Sequence, residues 1–342
     1  MRNHITGNEA VVLAAIDAGA KLMFGYPITP ATEILEGWIK YANESKKVGY
    51  IQTEDEIAAG FCVNGAVLAG KIAFTASAGP GHILLQDSLS MAENMRLPYV
   101  AIVMQRGGPS TGTVNFSQQE VNLAAFGGNG DGYRVVYSAS SVRELYDLTY
   151  KSFQTAWKYR FPTILLGDGY LAKMSTDLAI PRKNKTVSAT KIFDTEHPVN
   201  LRNCFSTEES FGEYLSDHEA AWRKFAPKIA ESEKFFVDES KYLIVAHGLV
   251  AAAAKETIVK YGKTDHIGLF RPITLNPFDQ VALRDAVVGK KKIFVIESAK
   301  NQLSHIVKYA LSGLKIEIIE ISKPAQGFTS EEIITKIRKH NG

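Results

Sequence analysis

Apolar residues in this chain fall into short continuous runs separated by longer stretches of helical spacing. The runs Leu22–Tyr26, Val48–Gln52, Ile72–Thr75, Pro98–Met104, Arg134–Val136 and Thr163–Leu166 have the length and flanks of buried strands. Between them, Asn8–Ala18 reads as a helix closed by Gly19, Ala31–Tyr41 as an amphipathic helix, Glu54–Ala69 as an alanine-rich helix stopped by Gly70, and Ile83–Asn94 as a further helix. Ser117 with Glu120, and Ser141 with Glu144, have the Ser-x-x-Glu spacing of a capping box and mark two more helix starts. Strands spaced by helices predict parallel βαβ units with right-handed crossovers, so residues 7–173 are expected to form a doubly wound α/β sheet.

The rhythm breaks after residue 173. Residues 173–198 are polar and irregular. Ser206 with Glu209 offers another capping box, and Phe211–Phe236 reads as a long helical connector carrying Trp222 and Phe225. A second, smaller α/β unit follows. Its strands are Tyr242–Ala246, Ile267–Phe270, Ile293–Ile296 and Ile316–Ile321, and its helices lie near Leu249–Lys260, Pro277–Val288, Gln302–Leu311 and Ser330–Lys339. The pattern divides the chain into a first domain (1–173), a connector (174–238) and a second domain (239–342).

Composition narrows the class. A chain of 342 residues accommodates two domains of roughly 100–200 residues each. At 45% hydrophobic and 22% charged residues it matches an ordinary globular protein. No apolar run reaches the ~18 residues of a membrane span, and the first residues lack the apolar core of a signal peptide. A net charge of +3 is too small to argue for nucleic acid or a membrane surface. Two cysteines, Cys62 and Cys204, exclude a disulfide scaffold and a self-contained iron–sulfur cluster, which takes about four cysteine ligands; a reducing cytoplasm is expected. No Gly-x-Gly-x-x-Gly bridges a strand and a helix, which argues against a nicotinamide dehydrogenase.

Candidate chemistry collects in four loops, each just after a strand. In Gly25-Tyr26-Pro27-Ile28-Thr29-Pro30, Pro27 fixes its own φ and extends Tyr26, and Pro30 is expected at the first position of a helix with Thr29 as N-cap. Glu54-Asp55-Glu56 opens the next helix. Acidic residues there commonly answer the helix dipole, but one of them could instead turn inward as a proton-transfer partner. The small residues Ala58, Ala59, Gly60, Gly65 and Ala66 that follow permit close approach of another chain or a ligand. Ser77-Ala78-Gly79-Pro80-Gly81 lets backbone approach a ligand closely. Arg106, in Gln105-Arg106-Gly107-Gly108-Pro109-Ser110-Thr111-Gly112, suits a bidentate grip on a carboxylate or phosphate. Singly, each loop could be a plain turn, or its arginine a surface one. One doubly wound sheet would gather all four along the edge where ligands bind.

These residues resemble the alpha subunit of 2-oxoacid:ferredoxin oxidoreductases, thiamine-diphosphate enzymes that oxidatively decarboxylate 2-oxoacids to acyl-CoA and pass electrons to ferredoxin. The resemblance covers nearly the whole chain. Its strongest parts are Gly25–Pro30, Glu54–Ala58, Gly79-Pro80-Gly81 and Arg106–Gly112, joined by Gly268–Phe278 and Glu297 in the second half. Members of similar length are the 2-oxoisovalerate and 2-oxoglutarate enzymes. The resemblance implies a pyrimidine-binding-type first domain and a second domain like the transketolase C-terminal one. It implies that Glu56 hydrogen-bonds N1′ of the aminopyrimidine and so promotes loss of the C2 proton. Glu56 is preferred because it lies nine residues before Gly65-Ala66; Glu54 is the alternate. Tyr26, Pro27, Ile28, Gly79, Pro80 and Gly81 are implied around the cofactor, and Thr29, Arg106, Ser110 and Thr111 around the 2-oxoacid, with Arg106 on its carboxylate. The sequence departs from the family at Ala78, where Ser is common, and at Thr113-Val114-Asn115, where Leu-Pro-Thr is common. That leaves His82 and Asn115 without carried-over roles and bears on substrate identity more than on reaction class.

Diphosphate-binding thiamine domains carry Gly-Asp-Gly with Asn-Asn downstream. Gly130-Asp131-Gly132 and Gly167-Asp168-Gly169 occur here without that pair, so both read as turns. The resemblance then places the diphosphate and Mg²⁺ site on a beta subunit and the iron–sulfur clusters on partner subunits. Gamma and ferredoxin-like subunits, ferredoxin, coenzyme A and a 2-oxoacid complete the expected partners, with no nucleic acid and no membrane. Two other readings stay open. One is a subunit of a non-redox thiamine-diphosphate decarboxylase or transferase; the other is a non-catalytic interaction subunit on the same scaffold.

Overall fold

The computed structural model describes residues 2–179, 186–189, 192 and 201–340. In chain order its strands are β1 (Arg2–Thr6), β2 (Leu22–Gly25), β3 (Gly49–Gln52), β4 (Ala73–Ser77), β5 (Val100–Gln105), β6 (Val135–Ser138), β7 (Thr163–Asp168), β8 (Ser175–Ala179), β9 (Ser232–Phe235), β10 (Tyr242–Val245), β11 (Ile267–Pro272), β12 (Thr274–Asn276), β13 (Lys292–Glu297) and β14 (Glu317–Ser322). The larger sheet has the order β12-β6-β7-β5-β4-β2-β3. All its pairs are parallel except β12 on β6. Every residue of β4, β5 and β7 is buried, which is why these strands read as continuous apolar runs. Helix Gly7–Ala18 packs on Val142–Tyr159 and Thr32–Ser45, and Glu56–Leu68 packs on Gln86–Asn94. The smaller sheet, β14-β13-β10-β11-β9, is parallel except for its edge strand β9.

Three elements depart from the expectation. β12 comes from the second half of the chain yet completes the first sheet, so that sheet is not built from residues 7–173 alone. β8 pairs antiparallel with β1, turning the start of the irregular 173–198 stretch into a ribbon; 180–185, 190, 191 and 193–198 lie outside the described residues. The connector helix runs Glu208–Ile229 with Thr207, not Ser206, as its cap. It ends short of Phe236 because Ser232–Phe235 pairs with the edge of β11 instead. Trp222 docks this helix on the first domain, stacking on Tyr133 at 5.3 Å and meeting Phe161 edge-on at 5.2 Å.

Capping chemistry differs as well. Reciprocal boxes form at Thr6 with Glu9 and at Thr329 with Glu332. Ser141 caps Glu144 N–H, but the Glu144 carboxylate binds Ser140 and Arg271. The Ser117–Glu120 box does not form: Ser117 Oγ donates to Gln119, and Glu120 turns elsewhere. Buried polar contacts join the two halves. Ser138 Oγ lies 2.9 Å from His247 Nδ1, Gln118 Nε2 donates to the His247 carbonyl at 2.8 Å, and Arg271 Nη1 donates to Glu144 at 2.8 Å.

Gly167-Asp168-Gly169 is a helix start. Asp168 accepts from Tyr170 and Leu171 N–H, and a Cβ on Gly169 would lie 1.5 Å from the Asn115 carbonyl oxygen. Burial pushes the Asp168 carboxyl up to about 7 from an ordinary 3.8, against the pull of those two backbone bonds. A raised acid favours its protonated form on folding. Its contribution is therefore complete below the unfolded-state pKa and declines as pH climbs towards 7. Asp168→Asn keeps the acceptor and cannot ionise. It is expected to raise the melting temperature relative to the parent at about pH 8 and to lose most of that advantage near pH 4. A difference that does not change with pH in thermal denaturation would refute this.

Candidate active site

β5, β4, β2 and β3 are consecutive neighbours running in parallel, so the four candidate loops emerge along one edge of the sheet. At the end of β3, Thr53 N–H donates to the Gly25 carbonyl, tying this loop to the end of β2. The three acidic residues then separate by role. Glu54 is exposed. Asp55 is the N-cap of Glu56–Leu68, accepting from Ala58 N–H at 2.8 Å. Glu56 is buried, only 3% exposed.

The Glu56 carboxylate accepts one long side-chain hydrogen bond, 3.4 Å from Ser77 Oγ. Burial raises its pKa above the ordinary carboxylate value. Its own backbone N–H, Ser77 and Arg106 pull the other way, with Asp55 adding to the rise. A Cβ on Gly81 would lie 2.0 Å from Glu56 Oε1 and 2.3 Å from Ser77 Oγ, so only glycine lets this loop lie on the carboxylate. Gly79, at φ 54°, leaves the same kind of room for Arg106: a Cβ there would lie 2.5 Å from Nε.

Arg106 is 6% exposed. Its Nη1 donates to the Thr29 carbonyl at 2.8 Å, and its buried Nε has no hydrogen-bond partner among the described residues. A buried guanidinium with an unspent N–H is suited to receive an anion. Thr29 is therefore beside Arg106, but it is not an N-cap. The Thr29–Pro30 peptide is cis, and the helix begins at Thr32 behind Ala31. Tyr26 is exposed, and Pro27 and Ile28 are half-buried. Pro80 opens the short helix Pro80–Leu84. Ser110 and Thr111 sit exposed at the tip of the next loop, which is closed by Thr113 N–H on the Gly107 carbonyl at 2.9 Å. Among the described residues neither has a hydrogen bond to Glu56, Thr29 or Arg106.

The small residues of helix Glu56–Leu68 divide. Gly60 is small for an internal reason, since a Cβ would lie 2.0 Å from Ser88 Oγ. Gly65 meets nothing within 4 Å and continues a face carrying the exposed Ile57 and Phe61. Tyr26, in the loop after β2, and Ile83 and Leu84, in helix Pro80–Leu84, are further exposed apolar side chains. In the second half, Glu297 is fully buried and caps helix Leu303–Ala310, accepting from Leu303 N–H at 2.7 Å and Ser304 Oγ at 2.9 Å.

Residues 13–205 match the family described as pyruvate flavodoxin/ferredoxin oxidoreductase, thiamine diphosphate-binding, and residues 240–332 match pyruvate:ferredoxin oxidoreductase core domain II. The chain belongs to the 2-oxoacid:ferredoxin oxidoreductase family. It is 34% identical to the ketoisovalerate oxidoreductase subunit VorB of Methanothermobacter marburgensis, over 92% of this chain and 91% of that one. It is 29% identical to the 2-oxoglutarate synthase subunit KorA of the same organism, over 97% of each. The 2-oxoglutarate:ferredoxin oxidoreductase from Magnetococcus marinus, solved with 2-oxoglutarate, coenzyme A and succinyl-CoA bound, superposes with a TM-score of 0.88 at 25% identity. All of this chain is covered there, but it spans only 65% of that longer one. A split-gene transketolase shares the fold, with a TM-score of 0.60 at 11% identity.

Proposed function

We propose that this chain, an alpha subunit of a thiamine-diphosphate-dependent 2-oxoacid:ferredoxin oxidoreductase, supplies the aminopyrimidine and carboxylate-anchoring half of a shared active site. The observation that carries the reading is Glu56, buried under a loop that only glycine at position 81 can form. The residues fit the cofactor. Glu56 has a raised pKa and one long side-chain hydrogen bond, so its carboxyl can hold a proton shared with a ring nitrogen. When bound, thiamine diphosphate supplies the electron sink for decarboxylation. Glu56 would hold the proton at N1′, the Gly79–Gly81 and Tyr26–Ile28 backbone would shape the ring site, and Arg106 would orient the 2-oxoacid by its carboxylate, beside Thr29.

The remaining assignments belong to the same proposal. Ser110 and Thr111 would meet the substrate's side-chain end. A beta subunit would bring the diphosphate and Mg²⁺ site, and partner subunits the iron–sulfur clusters that pass electrons to ferredoxin, with coenzyme A as acyl acceptor in a reducing cytoplasm. Among the described residues no helix is long and apolar enough to cross a membrane. Residues 1–173, 174–238 and 239–342 would act as ring-site domain, connector and second domain. A branched-chain 2-oxoacid or 2-oxoglutarate is the proposed substrate, in line with the relatives' names. The exposed Ile57–Phe61–Gly65 face supports an obligate partner. The chain alone is expected to bind thiamine diphosphate poorly in calorimetry with magnesium, and the complex with its beta subunit to bind it tightly. Tight binding by the isolated chain would overturn the shared-site proposal.

A further inference from the structure

Glu120 lies at the end of a loop, just before the short helix Val121–Phe126, and is 6% exposed. Its Oε1 accepts from Arg106 N–H at 2.9 Å and from Gly79 N–H at 3.0 Å. Its Oε2 lies 3.1 Å from Gly79 N and 2.9 Å from Nδ1 of the fully buried His82. The pairing of β4 with β5 ends at Ser77 opposite Val103. Beyond that point the Glu120 carboxylate takes the place of the sheet ladder, holding the two diverging chains by their amides.

We propose that Glu120 is a positioning residue that locks the arginine anchor and the glycine loop over Glu56 into one rigid unit. The proposal rests on the reading that Arg106 receives the 2-oxoacid carboxylate. Charge-assisted hydrogen bonds to a buried carboxylate are short and strong, and removing the acceptor leaves buried N–H groups unpaired. Gly79 is the residue against which the Arg106 side chain lies, so one carboxylate fixes both the root of the guanidinium and the surface it rests on. Gly81, two residues on, covers Glu56. A shift of the Glu120 bonds therefore moves the anchor relative to the proton-transfer group without touching either side chain.

The test uses the assembled complex. Glu120→Ala is expected to raise KM for the 2-oxoacid by about ten-fold or more while kcat falls less, and to speed amide hydrogen exchange at Gly79 and Arg106, read by mass spectrometry in the absence of cofactor and substrate. Glu120→Gln keeps an oxygen for the two amides, and its NH₂ can donate to Nδ1 of His82 in the Nε2-protonated tautomer, so it should recover most of the KM. In an Arg106→Ala background, Glu120→Ala should add less than about two-fold, because both act through one group. Should Glu120→Ala not assemble, Glu120→Asp, one methylene shorter, carries the same readouts. Unchanged exchange at Gly79 and Arg106, or a KM effect that multiplies fully in the double variant, overturns the positioning role. An Arg106→Ala complex with unchanged KM makes the anchor reading fail instead, and the exchange measurement then still decides whether Glu120 ties the two loops.

Discussion

Glu56→Gln in the assembled complex is expected to leave thiamine diphosphate bound and to slow exchange of its C2 proton by about two to four orders of magnitude. Glutamine has the shape of glutamate and can still accept the Ser77 hydroxyl, so the Gly81 loop has no cause to move. What is lost is the proton that the carboxyl can take up and return. Burial favours that protonated form, because the charged carboxylate in a dry site lacks its hydration, and its own amide, the long Ser77 bond and the Arg106 charge offset that loss only in part. Rapid acid quench and proton NMR of the recovered cofactor measure the exchange directly. Glu54→Gln and Asp55→Asn are the controls. Glu54 is exposed, and asparagine at position 55 can still cap Ala58, so both should leave the exchange rate within a few-fold of the parent. A large effect from Glu54→Gln with none from Glu56→Gln would place the proton-transfer group two residues earlier.

How far the site is legible in the sequence depends on what each residue contacts. The strand-end loops are legible because β2, β4 and β5 are apolar runs that stop at glycine, proline or a lone charge, and because a parallel sheet brings such ends together. Which of Glu54, Asp55 and Glu56 is buried depends on where the helix starts. One residue of difference in the cap turns a different side chain inward. Glu120 is hidden for the opposite reason. Its spacing from Ser117 satisfies a local rule, and a local rule competes with a tertiary contact made forty-one residues away at Gly79. The apolar stretch that follows, Val121–Phe126, fits the same local rule and makes a helix of only six residues. β12 and β9 escape notice because short edge strands carry little pattern of their own and are fixed by the partner they complete. Glu297 is part of the family resemblance, and its oxygens are spent on the start of a helix.

Arg106→Ala is expected to cost roughly 2–5 kcal/mol in kcat/KM, the range for removing one partner of a buried, hydrogen-bonded charge pair. The loss should be similar for every 2-oxoacid tested, because all share the carboxylate that the guanidinium would hold. Arg106→Lys keeps the charge but not the planar fork. Here the fork is already partly committed, since Nη1 donates to the Thr29 carbonyl and the chain lies flat against Gly79. An ammonium cannot serve the backbone carbonyl and offer a second, parallel N–H to a carboxylate in the same plane, so KM should rise clearly while less is lost than with alanine. Selectivity among substrates should respond instead to changes between Ser110 and Phe116. Ser110 and Thr111 at the tip of that loop are exposed and have no hydrogen bond to Arg106 among the described residues, so they can vary without disturbing the anchor. Steady-state kinetics with a straight-chain, a branched and a dicarboxylic 2-oxoacid separate the two effects. An Arg106→Ala complex with unchanged kcat/KM, or one that switches preference while retaining full activity on a single substrate, would show that this arginine sorts side chains and does not hold the carboxylate.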